Sequence, residues 1–167
     1  MHHPPEPPEW ERKLRFLLPL YGHRNWIVVA DSAYPAQSKP ALETIVADDE
    51  QIPVLRTVHE AITAAPHLRA RVYADHELAF VAENDAPGVD DYRRELTEVL
   101  AGHSIETLPH EQIIHKLDAA AQLFRILVIK TDMTIPYTSV FFELDCGYWN
   151  AEAEERLRQA ILVADSK

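Results

Sequence analysis

The order of apolar and polar positions divides the chain into short helical and extended segments separated by turns. Trp26-Ile-Val-Val-Ala30 is a continuous apolar run ending in turn chemistry, which predicts a strand buried on both faces. Residues 124–130 and 139–144 read the same way and predict two closing strands, with a turn around Pro136 between them. Shorter strands are expected over 44–46, 69–73 and 105–108, and 78–81 fits either a strand or a short helix. Trp10, Leu14, Leu17 and Leu18 recur at helical spacing, as do Ile52, Leu55, Val58 and Ile62, predicting helices over 9–20 and 51–64. Further helices are expected over 90–101 with Gly102 as its stop, over 110–123 behind Pro109, and over 151–163, the last amphipathic. Between the early elements, a loop carries Pro35 and Pro40.

Strands alternating with helices predict an α/β fold with a largely parallel central sheet flanked by helices, with an antiparallel edge as an option. Residues 1–8 read as a Pro-rich lead-in and 9–167 as a single domain, without an internal repeat. A chain of 167 residues with 47% hydrophobic and 26% charged side chains can bury a substantial core. The formal charge of −11 argues against nucleic-acid or anionic-membrane partners, which need a basic surface. Cys146 stands alone, so no intrachain disulfide is possible. No apolar run approaches membrane-spanning length, and the first residues lack a secretory signal's apolar stretch. The expectation is a reduced, cytoplasmic protein.

Candidate chemistry begins at Gly22-His23, just before the Trp26–Ala30 strand, and at Asp31, just beyond its carboxyl end. In open α/β sheets ligands bind in the crevice beyond the carboxyl ends of the strands. A His, an Asp and a Tyr such as Tyr137 meeting there would be able to move protons on a small polyol. Taken singly, each has a plainer reading: His23 and Asp31 as turn residues, Tyr137 as a packing aromatic. Nine histidines raise the question of metal, yet none of the His-Glu pairs at His59, His76 and His110 has a second His four residues on. His110 and His115 lie about 140° apart on a helix of 3.6 residues per turn, unsuited to sharing one zinc. With four glycines and no Gly-rich phosphate loop, nucleotide binding has no support either. Asp48-Asp49-Glu50 reads as a solvated loop leading into a helix.

Two motifs together resemble the RbsD/FucU family, the D-ribose pyranases and L-fucose mutarotases. The family pattern has an early Gly-His and, eight residues after that His, Asp-Ala-(small or Asn)-apolar-Pro. Gly22-His23 and Asp31-Ser32-Ala33-Tyr34-Pro35 follow it. Its Val-Ile-Arg-Thr-Gly-Glu-x-x-Pro-Tyr-x-Asn pattern is tracked without a gap by Val128-Ile-Lys130-Thr-Asp132-Met-Thr-Ile-Pro-Tyr137-Thr-Ser139. The departures are Asp132-Met133 in place of Gly-Glu and Ser139 in place of Asn. The family also carries a His at the start of the helix before the last two strands. Here that is His110 by helix-start context or His115 by distance to Tyr137, with His110 preferred.

The resemblance implies an RbsD-like fold and a cofactor-independent isomerase that interconverts anomers or ring forms of a free monosaccharide. It also implies a ring-shaped homo-oligomer with sites at subunit interfaces. In it His23 would be the main acid/base, Asp31 would orient it or hold a sugar hydroxyl, and His110 and Tyr137 would share proton transfer or bind hydroxyls. His110 could then come from a neighbouring subunit. Ser139, Tyr34, Lys130 and Asp132 complete the expected substrate contacts. No metal and no cofactor are expected. The rival reading is a non-enzymatic sugar-binding or regulatory protein on the same fold, favoured by the altered Asp132-Met133 and Ser139 positions. A metal-dependent hydrolase would need a ligand set that the sequence does not offer.

Overall fold

The computed structural model describes residues 3–167; Met1 and His2, at the start of the expected lead-in, lie outside the described residues, and residues 3–8 carry no regular structure. Six strands form one sheet: β1 (Trp26–Ala30), β2 (Leu42–Val46), β3 (Leu68–Asp75), β4 (Ile105–Leu108), β5 (Ile126–Lys130) and β6 (Val140–Cys146), in the order β2-β5-β1-β6-β3-β4. Among the described residues, five helices accompany them: α1 (Glu9–Leu17), α2 (Gln51–Ala64), α3 (Val89–Val99), α4 (His110–Ala120) and α5 (Ala151–Asp165). Residues His76–Phe80 form a short 3₁₀ helix, which decides between the two readings of 78–81.

Period-two alternation sorts the strand residues between two layers. Ile27 and Val29 of β1 and Leu127 and Ile129 of β5 face Trp10, Leu14, Val54, Leu55, Val58 and Leu96 of α1, α2 and α3. Trp26, Val28, Ala30, Ile126 and Val128 face the other way, against Ile113 and Leu117 of α4. Because β1 is covered on both faces, it is buried at all five positions and reads as an unbroken apolar run.

β1, β2 and β5 are mutually parallel, as are β3 and β4, while β6 runs antiparallel to both β1 and β3. The sheet is therefore largely parallel, but its antiparallel strand sits inside rather than at an edge. Residues 131–139 are too few for a parallel crossover, which takes a dozen or more, so β6 must return against the direction of β5. Val140, Phe141, Phe142 and Leu144 are all buried, and only an interior slot covers both faces of such a strand. The edges fall instead to β2 and β4, whose side chains are partly exposed.

Candidate functional site

The carboxyl ends of β1, β3 and β4 and the start of β6 meet at one rim of the sheet, around a cavity of about 640 Å³. Its lining includes Asp31, Tyr34, Asp75, His110, Glu111 and Tyr137. The volume lies in the range of small-molecule sites.

His110 is the first residue of α4, with Pro109 before it supplying an extended entry rather than a side-chain cap. Both Glu77 oxygens accept the free His110 backbone N–H, at 3.0 and 3.1 Å, so a carboxylate from the 3₁₀ helix caps α4 from outside. The imidazole Nδ1 lies 2.9 Å from Asp75 Oδ1. Asp75 closes β3 and is 2% exposed. Burial pushes its carboxyl above the ordinary carboxylate range, against the opposing pull of the His110 hydrogen bond and charge. With Nδ1 held by Asp75, Nε2 is the nitrogen left to exchange protons. Tyr137 packs edge-on to this ring, centroids 5.9 Å apart, from a backbone in the left-handed region at φ 59°.

That left-handed corner is held from below. The Thr138 carbonyl accepts both the Tyr92 hydroxyl at 2.6 Å and the Gln51 amide at 2.9 Å. Gln51 Oε1 in turn accepts the Thr131 hydroxyl at 2.6 Å. On the β1 side, Asp31 Oδ1 accepts the Ala33 N–H at 3.0 Å, while Ser139 Oγ receives the Asp31 N–H at 3.2 Å and donates to Asp31 Oδ2 at 3.4 Å.

Of the expected residues, the structure brings Asp31, Tyr34, His110 and Tyr137 to this cavity. Ser139 is buried beneath Asp31 and holds that carboxylate instead of lining the cavity. Lys130, at the end of β5, is also absent from the lining, and Asp132 faces the α2–α3 side beside Gln51 and Tyr92. His115 is exposed and lies away from the cavity.

His23 sits at the opposite rim. Its Nδ1 is 2.7 Å from Asp145 Oδ1 at the end of β6, and Arg69 at the start of β3 pairs with the other Asp145 oxygen at 3.0 Å. The five residues of β1, at about 3.3 Å each, separate His23 from Asp31 by more than about 15 Å. No single monosaccharide spans that gap within one chain.

Asp75 and Glu77 escaped the sequence reading. The strand expected over 69–73 ends two residues short of Asp75, whereas β3 runs on to it. Applying the same crevice rule to every strand points to Asp75. Among the described residues, no three His, Cys, Asp or Glu side chains gather as a metal site, and no helix is long and apolar enough to cross a membrane.

The sequence pattern of the RbsD / FucU transport protein family matches residues 10–146. The chain belongs to that family. Solved RbsD/FucU structures share its fold at low identity. Bacillus subtilis RbsD complexed with D-ribose is 20% identical, covering 87% of this chain and 98% of its own, with a TM-score of 0.57. The fucose mutarotase in complex with L-fucose from Streptococcus pneumoniae is 18% identical, covering 83% and 92%, with a TM-score of 0.52. FucU from Bifidobacterium longum is 16% identical, covering 80% and 94%, with a TM-score of 0.54. No curated protein sequence matches the chain. The family match stops at Cys146, so α5 lies beyond it.

Proposed function

We propose that this protein interconverts anomers or ring forms of a free monosaccharide by general acid–base catalysis. The observation that carries the reading is the Asp75–His110 pair, packed edge-on by Tyr137, in the lining of a sugar-sized cavity. Opening a sugar ring takes the proton from the anomeric hydroxyl and gives one to the ring oxygen, leaving an open-chain carbonyl. Reclosure on the other face, or through another hydroxyl, reverses both transfers. His110 Nε2 suits one of these transfers, with Asp75 fixing the tautomer through Nδ1. Tyr137 and Asp31 stand ready to hold hydroxyls, and Ser139 serves by keeping Asp31 oriented.

His23 enters this chemistry from a second copy. It lies at the opposite rim, half exposed beside Asp145 and Arg69, where the cavity rim of a neighbouring chain can seat. Each complete site then combines one chain's cavity with the next chain's His23. A cytoplasmic setting suits the lone, unpaired Cys146. The sugar-binder reading keeps one observation in its favour: Ser139, where the family pattern has Asn, is spent on Asp31 and does not line the cavity.

Saturation-transfer NMR on ribose, fucose, galactose and glucose tests the proposal. Protein-dependent exchange between anomeric or ring-form signals of one sugar is the expected result. His110→Ala should slow that exchange by about 10²–10⁴-fold, the usual contribution of one acid–base group. Sugar binding without exchange in the wild type would establish the binder instead.

A further inference from the structure

Two polar atoms of cavity-lining residues are buried and have no protein partner: the Tyr34 hydroxyl and Asp75 Oδ2. Tyr34 is 5% exposed, and Asp75 is the most deeply buried carboxylate at the cavity. The neighbouring polar groups are engaged, Asp31 by Ala33 and Ser139, and Asp75 Oδ1 by His110. Leaving a buried hydroxyl and a buried carboxylate oxygen unpaired works against folding, so each needs a compensating use.

The Tyr34 ring has a structural use of its own. It packs on the α4 face of the sheet with Trp26, Tyr73, Ile113 and Leu117. A phenylalanine would supply the same packing, so the core does not account for the hydroxyl. Burial, with the charges of Asp118, Asp75 and Asp31, pushes the phenol up to about 12, so it stays a neutral donor at working pH. Donor and acceptor belong to residues that line the same cavity.

We infer that the Tyr34 hydroxyl and the free Asp75 oxygen form a subsite for one hydroxyl of the substrate, with Tyr34 as a specificity-determining residue. A sugar hydroxyl there accepts from Tyr34 and donates to Asp75 Oδ2, satisfying both atoms at once. The subsite favours a substrate bearing a hydroxyl at that position over its deoxy counterpart, because the deoxy sugar leaves both protein atoms unpaired. The inference rests on the monosaccharide reading above and names the feature of the sugar that is read.

The test is Tyr34→Phe, with affinity measured by calorimetry and exchange by NMR on the same sugars and their monodeoxy analogues. The variant should raise the half-saturating sugar concentration by about 3–10-fold, the worth of one net hydrogen bond, and leave exchange at saturation within about twofold of wild type. It should also melt at a higher temperature, since an unpaired buried hydroxyl is gone. One deoxy analogue should bind wild type and variant alike. A hydroxyl with a purely structural role would give the opposite pair, lower melting temperature and unchanged affinity, and that result overturns the subsite while leaving the isomerase reading intact. Wild type that binds sugar without exchange removes the isomerase reading, and the subsite is then judged by the affinity change alone. Wild type that binds none of the sugars overturns both.

Discussion

Asp75 divides its two oxygens between two tasks, one fixing His110 and one left unpaired among cavity-lining residues. Its raised pKa gives the pair a signature in stability. The folded chain holds the Asp75 proton to a higher pH than the unfolded chain does. Between the unfolded carboxylate value and the raised folded value, the native state binds more protons, so stability falls as pH rises through that window. Asp75→Asn removes the titration, and its melting temperature should fall less than wild type's on raising the pH from about 4 upward. Thermal unfolding of both proteins across that range checks the sign. Residues on recognisable motifs were legible in the sequence: Asp31, Tyr34, His110 and Tyr137 all reach the cavity. The Ser139 placement was not, because it depends on side-chain reach; His23 before β1 and Asp31 after it already stand at opposite ends of one strand, which rules out their meeting within one chain. Asp75 was hidden for a simpler reason: Tyr73 and Ala74 precede it without the alternation that would have extended the strand.

Among elements, the legible ones are those whose pattern and packing agree. α2 runs over Gln51–Ala64 as its Ile52, Leu55, Val58 and Ile62 spacing predicts, and β1 and β4 match their expected bounds. Gln51 shows the limit of pattern reading. It opens α2 like any polar first-turn residue, yet it is 2% exposed and bonds β1 and both ends of the segment joining β5 to β6. The slot taken by β6 was also beyond local pattern, since its burial on both faces marks it as interior without saying between which strands. α5 is the converse. It forms as expected, capped by the Asn150 side chain on the Ala153 N–H at 2.8 Å, but none of its residues is buried. Leu157→Ala, an exposed change on this helix, should therefore alter unfolding free energy by less than about 0.5 kcal/mol in a denaturant titration. A buried equivalent such as Leu55→Ala should cost about 2–5 kcal/mol in the same measurement.

For the whole molecule, β1 sets a distance: cavity at one end, His23 at the other. On the proposed function, His23→Ala and His110→Ala chains are each inactive for different halves of the same site. Mixing the two variants under conditions that exchange subunits should restore part of the sugar exchange, because some boundaries then join an intact cavity to an intact His23. NMR exchange rates before and after mixing decide it, and variants that stay inactive together would overturn the shared site.

The same separation gives the chain a head and a tail. On the proposed function, a row of such chains would end with one vacant cavity and one unused histidine, and only closure on itself would put every part to use. Output per chain would then depend on how many chains are present, so dilution alone would silence the protein without touching a single side chain.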